Sequence, residues 1–254
     1  MAEVGDSGFR LKNKQTVSDR RNELRVVLVS TRNPLNIGAA ARALSNFGFS
    51  RLRLVNPYDP AFREARSAVG AAPLLQRAEV FSSVAEAVAD CSLVIGTTAA
   101  RARELHQPLK RLELGAREIR KRLASESVAL MFGSEKRGLL KDELSHCHWL
   151  LRIPTREGVS MNLGQAVAVC LYELIRDGKN VGAAKSAQAA ASGDLERITG
   201  ALLEALQISG YVNPKTAVSS EEKIRRLTRR LQIPAEDTEV WLGMLRQILW
   251  KLRK

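Results

Sequence analysis

The chain has 254 residues, 45% of them hydrophobic, enough for one large domain, or one medium domain with an appendage, around a real core. Its 40 Lys and Arg outnumber 27 Asp and Glu, a net charge of +13 that favours a polyanionic partner, because neutralising phosphates releases counterions. No apolar run reaches the roughly 18 residues of a membrane span, the polar opening residues hold no secretory apolar region, and an aromatic content of 5% argues against a base-stacking single-strand binder.

Three widely spaced cysteines, Cys91, Cys147 and Cys170, are too few and too odd in number for a disulfide framework, so reduced thiols and a cytoplasmic setting are expected. Residues 1–23 read as a flexible basic arm carrying Arg10, Lys12, Lys14, Arg20 and Arg21. A buried-strand run follows at 26–29, then a helix over 36–47 with Asn36 as its N-cap and Gly48 as its stop. A second strand is expected at 52–55, helices at 61–69 and 84–89, and a third strand at 92–96. A helix at 119–124, strands at 128–132 and 150–153, and a long helix at 163–176 complete this part. Such alternation predicts α/β architecture with a mainly parallel sheet, in which ligands lie beyond the carboxyl ends of the strands. Residues 179–193 are rich in Ala, Ser and Gly and read as a linker. Residues 194–254 then form a small all-α extension, with helices at 195–207, 219–231 and 238–252. The second of these carries Lys223, Arg225, Arg226, Arg229 and Arg230 beside Ile224, Leu227 and Leu231, an amphipathic pattern with a basic exposed face suited to RNA.

Three loops stand where a parallel sheet would place a site. The first, Asn33-Pro34-Leu35-Asn36-Ile37-Gly38 and on to Arg42, starts a helix with small residues that allow close backbone approach; alone it is only a helix start. The second, Gly133-Ser134-Glu135-Lys136-Arg137-Gly138-Leu139-Leu140, has the glycine spacing of a phosphate loop but lacks the Lys-Ser/Thr that would serve phosphate and magnesium, which excludes an NTPase. The third runs from Ile153 to Ala166 and enters a helix whose start holds Ser160 and Asn162; taken singly, Ser160 is an ordinary N-cap. His146-Cys147-His148 suggests metal, but no second Cys/His pair lies at ligand spacing, so no metal site is expected.

Together and in this order, each at a strand end, the three motifs resemble the SPOUT superfamily of knotted methyltransferases, specifically the TrmH/TrmJ-type tRNA and rRNA ribose methyltransferases, over residues 24–176. The resemblance implies a methyltransferase domain at 24–178 with a deep C-terminal trefoil knot, a helical RNA-binding part at 194–254, and a homodimer whose interface lies beside the site. It implies transfer of a methyl from S-adenosylmethionine to a ribose 2′-hydroxyl of tRNA or rRNA, with the anticodon loop favoured by likeness to the TrmJ branch. Its cofactor positions fall on Thr97, Thr98, Ala99, Gly133, Ile153, Ser160, Met161, Asn162 and Leu163. Its catalytic arginine falls on Arg42, and Asn36, Glu135, Ser160 and Asn162 complete the set. Two departures stand out: Met161 replaces the usual Leu, and Ala100 separates Thr97-Thr98-Ala99 from Arg101, where an arginine commonly follows directly. The competing expectations are a non-catalytic RNA-binding protein that kept the fold and a knotted enzyme acting on a base nitrogen. Retention of Arg42, Asn162 and the glycine loop weighs against the first, and the Asn36/Arg42 pair against the second.

Overall fold

The computed structural model of the chain describes residues 21–59, 62, 65, 72–99, 105–156, 159–176, 188–213 and 217–254. Within them a seven-stranded sheet has the order β3-β2-β1-β6-β4-β7-β5, and every pairing is parallel. The strands are β1 (Leu24–Val29), β2 (Arg51–Val55), β3 (Glu79–Phe81), β4 (Leu93–Thr97), β5 (Leu109–Arg111), β6 (Val128–Phe132) and β7 (Trp149–Arg152). β1 and β6 are buried at every residue, as parallel strands covered on both faces must be, and this is why they read as unbroken apolar runs.

Side-chain alternation sorts the sheet into two cores. Val26, Leu28, Leu130 and Phe132 face α1 (Pro34–Asn46), α4 (Leu112–Arg122) and α6 (Leu163–Ile175). Val27, Val29, Ala129 and Met131 pack instead with α3 (Val84–Ala87) and α5 (Lys141–Ser145). The short α2 (Ala72–Gln76) follows β2, and the expected helix at 61–69 lies almost wholly outside the described residues.

Several boundaries differ from the sequence reading for local reasons. α1 begins at Pro34, with Asn33 as its cap, the Asn33 side chain accepting from Leu35 N at 2.9 Å; Asn36 is therefore inside the first turn and is not the cap. α4 starts at Leu112, seven residues ahead of the expected helix, because Gly115 is a packing glycine rather than a breaker: a Cβ there would lie 2.3 Å from Leu151 Cδ1. β3 and β5 escaped notice because each is a three-residue edge strand without a fully buried position.

The chain ends in α7 (Ser192–Ile208), α8 (Ala217–Arg230), a 3-10 turn at Ala235–Asp237, and α9 (Thr238–Leu252), with their own apolar cluster around Leu195, Ile198, Ile233, Leu242 and Leu245. The expected linker is docked at its end: Ala190 is buried, and Ser192 N and Gly193 N donate to Cys91 O and Ala89 O at 2.8 and 2.9 Å. Residues 179–187 of that stretch, like residues 1–20 of the arm, lie outside the described residues. α8 is less exposed in charge than its sequence suggests. Lys223 and Arg230 face solvent, but Arg225 and Arg229 are 7% and 2% exposed and bind Glu196 of α7.

Among the described residues no three His, Cys, Asp or Glu side chains group around a metal position, and no helix is long and apolar enough to cross a membrane. The members of His146-Cys147-His148 separate. His146 Nδ1 lies 3.3 Å from Glu196 Oε1 without hydrogen-bond geometry, Cys147 packs beneath Gly96, and His148 Nδ1 accepts from Val94 N at 3.1 Å. All three cysteines are free and buried, and burial pushes each thiol up to about 12. Burial, aided by the Arg229 charge, holds His148 down at about 3. A folded pKa below the unfolded one means that the neutral imidazole stabilises the fold: the contribution is complete above about pH 6.5 and is lost as pH falls toward 3. Between pH 7 and pH 5 the wild-type chain is expected to lose about 1–2 kcal/mol more unfolding free energy than His148→Asn, which keeps an acceptor for Val94 N without a titrating ring. Urea denaturation at both pH values measures this, and equal losses would reject it.

Candidate active site

β6, β4 and β7 are neighbours in the sheet, and their carboxyl ends open into one cavity of about 540 Å³, within the range of small-molecule and cofactor sites. The Thr97 hydroxyl donates to Met131 O at 3.0 Å and Thr98 N to Leu151 O at 3.0 Å, tying the three strand ends together at the cavity floor. One wall is the loop after β6. Gly138 N donates to Ser134 O at 2.8 Å, so the loop closes on itself, and a Cβ at Gly133 would sit 2.1 Å from the Gly138 carbonyl carbon. The opposite wall is the segment from Val159 to Leu163 that leads into α6.

Every expected cofactor position lines this cavity: Thr97, Thr98, Ala99, Gly133, Ile153, Ser160, Met161, Asn162 and Leu163. Asn36 and Glu135 line it as well. Arg42 does not; it lies on the exposed side of α1, six residues beyond Asn36. Phe132, Leu139 and Ala166, at the edges of the loops singled out in the sequence but given no role there, also line the cavity, and so does Leu144, which lay outside every motif. Leu144 sits on α5, a five-residue helix whose signal was a Glu143 carboxylate that accepts from Leu140 N at 2.6 Å, an acidic cap easily taken for surface charge.

A chain of polar groups crosses the cavity mouth, and its donors and acceptors fix one another. Gln165 N can only donate, so Asn162 Oδ1 accepts from it at 3.3 Å as the cap of α6. Asn162 Nδ2 therefore donates to Asn36 Oδ1 at 2.8 Å, and Asn36 Nδ2 is left to donate to Glu135 Oε1 at 2.8 Å. The last bond requires that orientation, since a carboxylate only accepts. Residues 126 and 99 positions apart are thus joined by a single line from the α6 N-terminus to the glycine loop, with buried Asn36 at its centre. This arrangement is open to Asn36 only because Asn33 caps α1 in its place. The small residues of α1 serve packing: a Cβ at Gly164 would lie 2.5 Å from Ala39 Cβ, so α1 and α6 approach closely and hold Asn36 against Asn162. Lys136 and Arg137 add cations to the lining.

The stretch of chain that builds the sheet and this cavity also matches a known sequence profile. The profile of the SpoU rRNA Methylase family covers residues 23–172, more than half of the chain. The chain belongs to the SpoU methylases. Several relatives of this SpoU methylase are named tRNA (cytidine/uridine-2'-O-)-methyltransferase TrmJ. That of Sodalis glossinidius is 34% identical over 89% of this chain and 91% of its own length, and that of Salmonella typhimurium 35% identical over 89% and 96%. The crystal structure of TrmJ from Z. mobilis ZM4 superposes with a TM-score of 0.77 at 32% identity, covering 88% of this SpoU methylase and 98% of the other chain. The likeness therefore takes in the C-terminal helices as well as the sheet.

Proposed function

We propose that this chain is an RNA methyltransferase that moves a methyl from S-adenosylmethionine to the ribose 2′-hydroxyl of a cytidine or uridine in tRNA, in the anticodon loop, acting in the cytoplasm as a homodimer. The observation that carries the reading is the Asn162–Asn36–Glu135 line across a cofactor-sized cavity, in a chain whose relatives of similar length are named for this activity. The knot implied by the resemblance belongs to the same reading, as does a dimer face near exposed Leu35 of α1 and Tyr172 of α6, helices that pack on each other.

The residues present suit the cofactor. The Gly133 to Gly138 loop, closed too tightly on itself to admit a Cβ at Gly133, forms one wall, backbone groups at Thr97–Ala99 and Ile153 are suited to adenosine and ribose, and Phe132, Leu139, Met161 and Leu163 supply apolar wall. When bound, S-adenosylmethionine supplies a methyl already activated by its sulfonium, which leaves as a neutral thioether. The protein's work is alignment of the ribose oxygen, worth on the order of 7–11 kcal/mol at best, and handling of its proton. Glu135 is held by Asn36 at the mouth, where it orients the incoming ribose or cofactor hydroxyls. Lys136 and Arg137 stand ready for the flanking phosphates. Arg42 acts from the RNA side, as a phosphate clamp that stabilises developing oxyanion character rather than as a base, because a guanidinium holds its proton too firmly.

The test is transfer of labelled methyl from S-adenosylmethionine into unmodified tRNA and rRNA transcripts, followed by nucleoside analysis. Label in tRNA as 2′-O-methylcytidine or 2′-O-methyluridine is expected. Label in rRNA alone would replace the substrate, label on a base would replace the chemistry, and failure to bind S-adenosylmethionine would leave an RNA-binding protein that kept the fold.

A further inference from the structure

The C-terminal helices grip the short helix that carries part of the cofactor wall. α5 follows the glycine loop directly, and Leu139, two residues before it, and Leu144, in its last turn, line the cavity. From α8, Arg225 Nη1 donates to Ser145 Oγ at 2.9 Å and lies 3.3 Å from Asp142 Oδ1. Ser145 Oγ in turn donates to Asp142 O at 2.5 Å, so its hydroxyl is bound on both sides. One turn further along α8, Arg229 Nε donates to His146 O at 2.7 Å. Both arginines are held by the carboxylate of Glu196 on α7, at 3.1 and 2.7 Å. Ser145 and His146 are 0% and 4% exposed, so this contact excludes water.

Adhesion alone does not call for this arrangement. Two buried cations are an expensive way to join helices even with Glu196, Asp142 and Glu221 paired to them, and apolar residues of similar size serve adhesion as well or better. What charged, directional bonds add is register: they fix where α5 stands along and around its own axis. We propose that Arg225 and Arg229 are positioning residues for binding of the methyl donor, holding α5 and, through it, the Leu139 and Leu144 wall of the cofactor cavity. The inference rests on the reading of this cavity as the S-adenosylmethionine site. It ties the helices expected to meet RNA to the pocket where the methyl donor binds, with no contact between either arginine and the cofactor.

The experiment is calorimetric binding of S-adenosylmethionine to the full chain without RNA, for wild type, Arg225→Ala, Arg225→Lys and Ser145→Ala, with thermal unfolding and steady-state kinetics on the same preparations. Arg225→Ala is expected to raise Kd and the cofactor KM about tenfold while kcat at saturating cofactor stays near wild type. Ser145→Ala is expected to raise them about threefold, and Arg225→Lys to recover part of the loss. A lower melting midpoint with wild-type Kd in the folded protein would show a purely structural clamp and overturn the inference. Should Arg225→Ala not fold, Ser145→Ala decides, because it leaves both arginines and Glu196 in place. Wild-type protein that binds no S-adenosylmethionine would remove the cavity reading and the inference with it; wild-type binding matched by all variants would remove the inference alone.

Discussion

Gly133→Ala is expected to abolish measurable methyl transfer and to weaken S-adenosylmethionine binding at least about 100-fold, the scale on which small misplacements cost rate and affinity. The added Cβ would lie 2.1 Å from the Gly138 carbonyl carbon, 2.2 Å from Leu139 N and 2.4 Å from Gly138 O. All three are backbone atoms, so no side-chain rotation relieves the overlap and the loop itself has to open. Opening breaks the bond from Gly138 N to Ser134 O and moves Glu135 away from Asn36 Nδ2. The other glycine of the loop is the control. Gly138 has φ of +66° but open space where a Cβ would stand, so Gly138→Ala suffers only the backbone cost of about 1–2 kcal/mol and keeps the loop closed. Titration calorimetry on the two variants should therefore separate them by an order of magnitude or more in Kd. Equal affinities would mean that the loop does not contact the cofactor.

The same loop shows how far the sequence could be read. Its glycine spacing and its place after a buried strand were visible because β6 is a continuous apolar run, the mark of a parallel strand covered on both faces. The convergence of Thr97, Gly133, Ile153 and Asn162 on one cavity follows from their shared position at carboxyl ends of strands, which the alternating pattern implied. The polar line was not legible. It depends on which asparagine caps α1, and Asn33 and Asn36 are both plausible until Pro34 is taken as the first helical residue. A cap commits its Oδ1 to the local backbone; Asn36, within the first turn, keeps both amide atoms for partners 99 and 126 positions along the chain, and nothing in the local sequence announces that.

The basic helix α8 failed for a related reason. Five cations on an amphipathic pattern look like one solvated face, yet Arg225 and Arg229 are buried against Glu196, which lies 29 and 33 residues earlier. The partner that makes burial possible is on another helix, and pairing across helices leaves no periodic trace. Burial raises the Glu196 carboxyl, but the His146 contact and the charges of Arg229 and Arg225 outweigh it and hold the group well below the usual carboxylate range. The exposed remainder of α8, Lys223 and Arg230, is a smaller basic face than the sequence suggested.

Arg42→Ala is expected to lower kcat for tRNA methylation about 100- to 1,000-fold, the usual loss when one donor to a developing oxyanion is removed. Its Kd for S-adenosylmethionine should stay at the wild-type value, because Arg42 is absent from the residues that line the cavity. The two measurements pull apart the roles that position alone leaves joined. Arg42 stands on the exposed side of α1, the helix whose buried side presents Asn36 to Glu135, so in the proposed reaction one helix serves both the cofactor mouth and the RNA side. Arg42→Lys keeps the charge but loses the planar fork that grips a phosphate through two parallel bonds, so it should recover only part of the rate, about a tenth of wild type. Full activity in Arg42→Lys would reduce the role to a point charge. Loss of cofactor affinity in Arg42→Ala would place its work at the cofactor instead, and the division of labour along α1 would have to be redrawn around Asn36 alone.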